Sequence, residues 1–128
     1  MNKSLNFLTL AIFAPVLILA GIAGFLVPTE QSVTSGAPAY NIFHLVFGAI
    51  GLLFVWRRNE LWLSLFNFGF GLIDLYQALA SALRLPPQNY FQWTRVDDIL
   101  HVLIGITLVA IGGYGLTRMS SPRKEKQT

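Results

Sequence analysis

Four long stretches of this chain carry almost no charge, and nothing else in the sequence limits its fold so severely. Residues 5–27 and 40–56 hold no charged side chain; residues 61–84 hold only Asp74 before ending on Arg84; residues 98–116 open on Asp98 and hold none after it. A helix needs about 20 apolar residues to cross a bilayer core of about 30 Å. The second run is the shortest, near the lower limit. Strands are not expected, because the runs are too long and show no sustained alternation. The composition agrees: 54% of residues are hydrophobic and 12% charged, against about 25% charged in soluble proteins. Pro15 lies inside the first run and is expected to kink it. That run also begins like a secretory signal, after Lys3, but an apolar signal core spans about 7–15 residues. The run is longer and reaches Pro28, so it reads as a retained span.

The expected fold class is all-α: an integral membrane four-helix bundle, one four-span domain over residues 1–128, with a basic tail at 117–128. The chain has no cysteine, which excludes disulfides, zinc knuckles and covalent haem attachment. Its net charge of +3 does not point to nucleic acid, because the basic residues sit at the ends of apolar runs. Lys3, Arg57, Arg58, Arg118, Arg123, Lys124 and Lys126 fall on one side and Arg84 and Arg95 on the other. The positive-inside rule then puts both termini in the cytoplasm of a cell membrane, such as a bacterial inner membrane. The tail is expected to lie near anionic headgroups. Trp56, Trp62 and Tyr114 fit an inner aromatic belt, and Tyr40, Tyr90 and Trp93 an outer one.

Shifting the sequence by 57 residues aligns its halves without gaps: His44 falls on His101, Gly48 on Gly105, Asn41 on Asp98, Ala14 on Gly71, Gly21 on Ala78 and Gly24 on Ser81. Each half holds two spans, so the expectation is two parallel two-helix repeats about an axis along the membrane normal. Helical spacing places Asn41, His44, Gly48 and Gly51 on one stripe, and Asp98, His101, Gly105 and Gly112 on another. Asn67, Gly71, Asp74, Ala78 and Ser81 form a third, and Ala14, Gly21 and Gly24 a fourth. Small residues mark close helix approach and polar residues avoid lipid. All four stripes are therefore expected to face one another, with both histidines at similar depth near the outer surface.

The runs "NIFHLVFGAIGLLFV" and "VDDILHVLIG" resemble a family of small bacterial four-span membrane proteins, the domain of unknown function 4383. The resemblance covers most of residues 5–116. Its second-span pattern maps onto His44, Gly48 and Gly51, and the opening of its last span onto Asp97 and His101. Asp98 stands where the family pattern has asparagine, and Asp74 is outside that pattern. The resemblance implies a fold and a membrane location, but no activity.

Several roles are open to the polar residues. His44 and His101 can join spans, with Asn41, Asp97, Asp98 or loop carbonyls as partners. Asp97 and Asp98 precede His101 by four and three residues, so either can lie beside it, and both suit a helix N-terminus. Alternatively, the histidine pair ligates a b-type haem, or joins Asp97 or Asp98 around a divalent metal such as zinc. Asp74, near mid-span with Tyr76 and Gln77 close by, is expected to be protonated or hydrogen-bonded. It acts either as glue between helices or as a proton or solute relay toward the histidines. The leading expectation is a non-enzymatic membrane protein, without cofactor, that packs against itself or a larger membrane complex. The alternative is a cofactor-, metal- or proton-binding bundle using His44, His101 and Asp74.

Overall fold

The structure, a computed structural model, describes residues 3–121. Four long helices dominate it: α1 (Leu5–Leu26), α2 (Pro38–Arg57), α3 (Glu60–Leu83) and α5 (Arg95–Ser120); a short helix, α4 (Gln88–Phe91), lies before the last. All four are long and apolar enough to cross a membrane. At 1.5 Å per residue, their 20 to 26 residues give lengths of about 30 to 39 Å. They run up and down, so the N-terminus of α1, the C-terminus of α5 and the tight α2–α3 turn share one end, called here the turn end. The connections at 27–37 and 84–94 share the other, the loop end.

Local chemistry sets the helix limits. Ser4 caps α1 by accepting from the Phe7 amide at 3.0 Å. The helix then continues past Pro15 without a break. Pro38 opens α2, where a fixed φ suits the first turn and a missing N–H costs nothing. The span therefore gains a half-turn over the 40–56 expected. Arg58 takes a left-handed conformation (φ 52°) to end α2, and the Asn59 side chain caps α3. Thr94 and Asp97 form a capping box at the start of α5. That start is three residues earlier than expected, and the helix continues to Ser120, into the anticipated tail. Arg123, Lys124 and Lys126 lie outside the described residues.

The helices associate as two hairpins, α1 with α2 and α3 with α5, whose contacts far outweigh those between hairpins. Glycines form both seams. A Cβ on Gly48 would meet the Ala14 carbonyl oxygen at 3.0 Å and also strike the Ile18 side chain; one on Gly105 would meet the Gly71 carbonyl oxygen at 3.0 Å and Leu75 at 2.9 Å. Gly21 sits against Leu45, Gly51 against Ala14, and Gly71 against Val109. Gly24 seats the Asn41 side chain. The contact pairs at Gly48 and Gly105 are 57 residues apart. So are the C-terminal ends of α1 and α3, and the starts of α2 and α5.

This corrects the expectation that all four small-residue stripes face a common centre. Their glycines are spent pairwise inside the hairpins, whereas Asn67 reaches across to Asn6 and His44, Asp74 and His101 border a cavity between the hairpins; aromatic rings fill the rest of the centre. Phe70 packs on Phe13, Phe47 and Phe66 at centroid distances of 5.5, 5.3 and 5.5 Å. Near the turn end, Asn6 of α1 donates to the Ile111 carbonyl of α5 at 3.1 Å. Its own side-chain oxygen accepts from Asn67 of α3 at 2.9 Å. This knot holds three helices together, and the sequence reading overlooked Asn6. Outside the bundle, large apolar residues such as Ile12, Leu19 and Leu103 are exposed.

Two aromatic assignments are also corrected. Tyr40 and Trp93, expected at an outer belt, are buried at 2% and 7% exposure. Each carries a polar atom with a partner inside the bundle. Tyr90, Trp56, Trp62 and Tyr114 are exposed, as a belt requires.

Candidate functional site

The site forms at the loop end, where the connections tie the hairpins together. The Asp97 carboxylate caps its own helix, accepting from the Thr94 amide at 2.8 Å. The same oxygen accepts from the Ser35 amide in the first connection at 2.7 Å. The Ser35 hydroxyl donates to the Phe91 carbonyl and accepts from the Ala37 amide. The Thr94 hydroxyl reaches the Val33 carbonyl at 2.9 Å. Asp97 is thus committed to structure.

One helical turn after Asp97, His101 faces α2. Its Nε2 and the Tyr40 hydroxyl lie 2.6 Å apart. Tyr40 also packs on His44, one turn along its own helix, at a centroid distance of 4.2 Å. The histidines are therefore linked through Tyr40 rather than joined to each other or to Asn41. His101 is 5% exposed, and its buried Nδ1 has no partner. Trp93 stands edge-on to it at 6.4 Å. On α3, Asp74 is 3% exposed and accepts from the Gln77 amide at 3.2 Å. The oxygen of that amide accepts from the Trp93 indole at 2.9 Å.

The two histidines, Tyr40, Asp74 and Asp97 border one cavity of about 350 Å³, at the lower end of the range for small-molecule sites. These five residues, with polar residues of the first connection at 31–35, supply its polar wall. Phe13, Leu17 and Ala20 of α1, Phe70 of α3 and Ile104 of α5 supply its apolar one. Asp74, expected either as glue between helices or as a relay toward the histidines, borders the same cavity as they do.

Two expected members stand elsewhere. Asn41 turns toward α1 and donates to the Gly36 carbonyl at 3.0 Å. Asp98 is half-buried, with one oxygen buried and unpartnered, and it does not border the cavity. The equivalence of Asn41 and Asp98 therefore does not extend to the site, and the buried acid of the last helix is Asp97. Among the described residues, no three histidine, aspartate or glutamate side chains are placed to hold a metal ion together. A haem between His44 and His101 would have to displace Tyr40, which packs on one ring and hydrogen-bonds the other.

Sequence reasoning missed Tyr40, Trp93, and the role of Ser35. An aromatic residue at a span end satisfies an interface belt equally well, and only a partner across the bundle distinguishes the two. Compared with known proteins, the chain matches no family model, no curated protein and no solved structure.

Proposed function

We propose that this chain is a multi-pass membrane protein, not an enzyme, that binds a small ligand in the cavity between its hairpins. The observation carrying this reading is the convergence of Asp74, His101, Tyr40 and His44 on one cavity. An intramembrane acid is costly unless it meets a proton, a cation or hydrogen-bond donors. Asp74 has one side-chain donor, Gln77. Its place on a cavity wall, rather than in a packed seam, favours a binding role over glue. The reading includes insertion with both termini cytoplasmic, supported by the concentration of lysine and arginine at the turn end. It also includes an origin as two parallel repeats, supported by the matching helix ends and glycine contacts 57 residues apart. The likeness to the four-span family of domain of unknown function 4383 belongs to the same proposal.

Native mass spectrometry of protein extracted in mild detergent tests the binding role. The wild type should carry one noncovalent adduct of defined mass, and Asp74→Asn should lack it while staying folded. The substitution preserves an acceptor for Gln77. A wild type without any adduct overturns the reading; an adduct kept equally by Asp74→Asn moves the ligand out of this cavity.

Assembly with itself or with a larger membrane complex is the second reading, favoured by the exposed apolar band. It ranks lower because lipid also covers such a band. Gly21, Gly48, Gly51, Gly71 and Gly105, five small residues that could let a partner helix approach, are used inside the hairpins.

A further inference from the structure

The cavity does not end at its polar wall. A second space of about 420 Å³ lies on the flank of the bundle between α1 and α5, lined by Ile12, Leu103, Thr107 and Ile111 among others. Phe13, Val16 and Ile104 border both spaces, so the groove adjoins the cavity on its turn-end side, with these side chains between them. α1 and α5 touch only sparsely, which leaves this flank open to the surrounding lipid.

The geometry points to a single-chain amphiphile with an ammonium head as the ligand, entering sideways from the membrane. Its head sits beside Asp74 and its chain lies in the α1–α5 groove. This rests on the binding role proposed above and names the ligand class.

Charge selects the head. Asp74 and Asp97 border the cavity, and no lysine or arginine does so among the described residues. The carboxylate oxygen of Asp97 is taken up by the Ser35 and Thr94 amides, which leaves Asp74 as the counter-charge. A phosphate or sulfate head would face two acids. A cation beside a carboxylate is held strongly where water is scarce, and the rings of Phe13, Tyr40 and Phe70 on the same walls suit an ammonium group.

The groove selects the chain. One of its few polar groups, the Thr107 hydroxyl, is already bonded to the Leu103 carbonyl at 2.8 Å. From Leu103 to Ile111 the groove follows α5 for about 12 Å, at 1.5 Å per residue.

Trp93, edge-on to His101, is the reporter. In a Trp56→Phe/Trp62→Phe background held in zwitterionic nanodiscs, its fluorescence is titrated with dodecyltrimethylammonium, tetramethylammonium and dodecyl maltoside. The expected result is a saturable change with dodecyltrimethylammonium, at least tenfold weaker with either of the others. Asp74→Asn should weaken that binding tenfold or more. Thr107→Phe, which fills the groove at an exposed position away from the polar wall, should weaken dodecyltrimethylammonium but leave tetramethylammonium unchanged. Equal affinity for the two cations, with Thr107→Phe silent, overturns lateral entry while the cavity remains a binding site. No response to any cation, in protein that still carries a native adduct lost in Asp74→Asn, overturns the ammonium head alone. If the adduct is missing too, the binding role falls with it.

Discussion

Asp97 shows how much one side chain can hold at a helix start. A single carboxylate oxygen accepts from two backbone amides in separate connections, and the residue is 3% exposed. Replacing it by alanine removes a cap, worth about 1 kcal/mol, and strands a buried amide, costing about 1–3 kcal/mol. Asp97→Ala should therefore lower unfolding stability by about 2–4 kcal/mol, read from denaturant or thermal melts in detergent. Asp97→Asn keeps an acceptor and should lose less. The sequence pointed to an acid at the start of this helix but left Asp97 and Asp98 equal and did not single out Thr94, whose side chain completes the capping box. It did not show Ser35, whose amide comes from a connection 62 residues away and follows no local rule.

At the scale of the helix, the hairpin seams give opposite signs to the same substitution. Gly105→Ala places a methyl group 3.0 Å from the Gly71 carbonyl oxygen, in rigid backbone. Overpacking of this kind costs about 1–3 kcal/mol. Gly69→Ala, on the neighbouring helix, meets nothing within 4 Å and should stabilise by about 0.5–1 kcal/mol through helix propensity. Melts of both variants check the contrast; destabilisation by both would mean that the seam is not specific to Gly105. The four long helices and the glycine seams were legible because long uncharged apolar runs suit helices able to cross a membrane and close approach demands small residues. The direction of each stripe was not, since a small-residue stripe fits a pair of helices as well as a group of four. The cavity was illegible for a different reason: it is the volume left where α1 and α5 part, and no residue marks it.

The whole molecule presents an asymmetric charge pattern that a direct labelling experiment can read. The chain contains no cysteine, so single replacements report cleanly. Val33, 70% exposed in the first connection, should react as Val33→Cys with an impermeant maleimide on intact cells. Ser121→Cys, beyond the end of α5, should react only after permeabilisation; the reverse pattern would invert the topology. The polar contacts between the hairpins also bear on the order of synthesis. Helices α1 and α2 are complete once Arg57 has been added, yet their buried polar groups find partners made much later. Asn6 waits for Asn67 and Ile111, Ser35 for Asp97, and Tyr40 for His101. The first hairpin to leave the ribosome is therefore a provisional structure, and a chain truncated after α3 leaves the Ser35 amide and the Tyr40 hydroxyl without the partners that α5 brings.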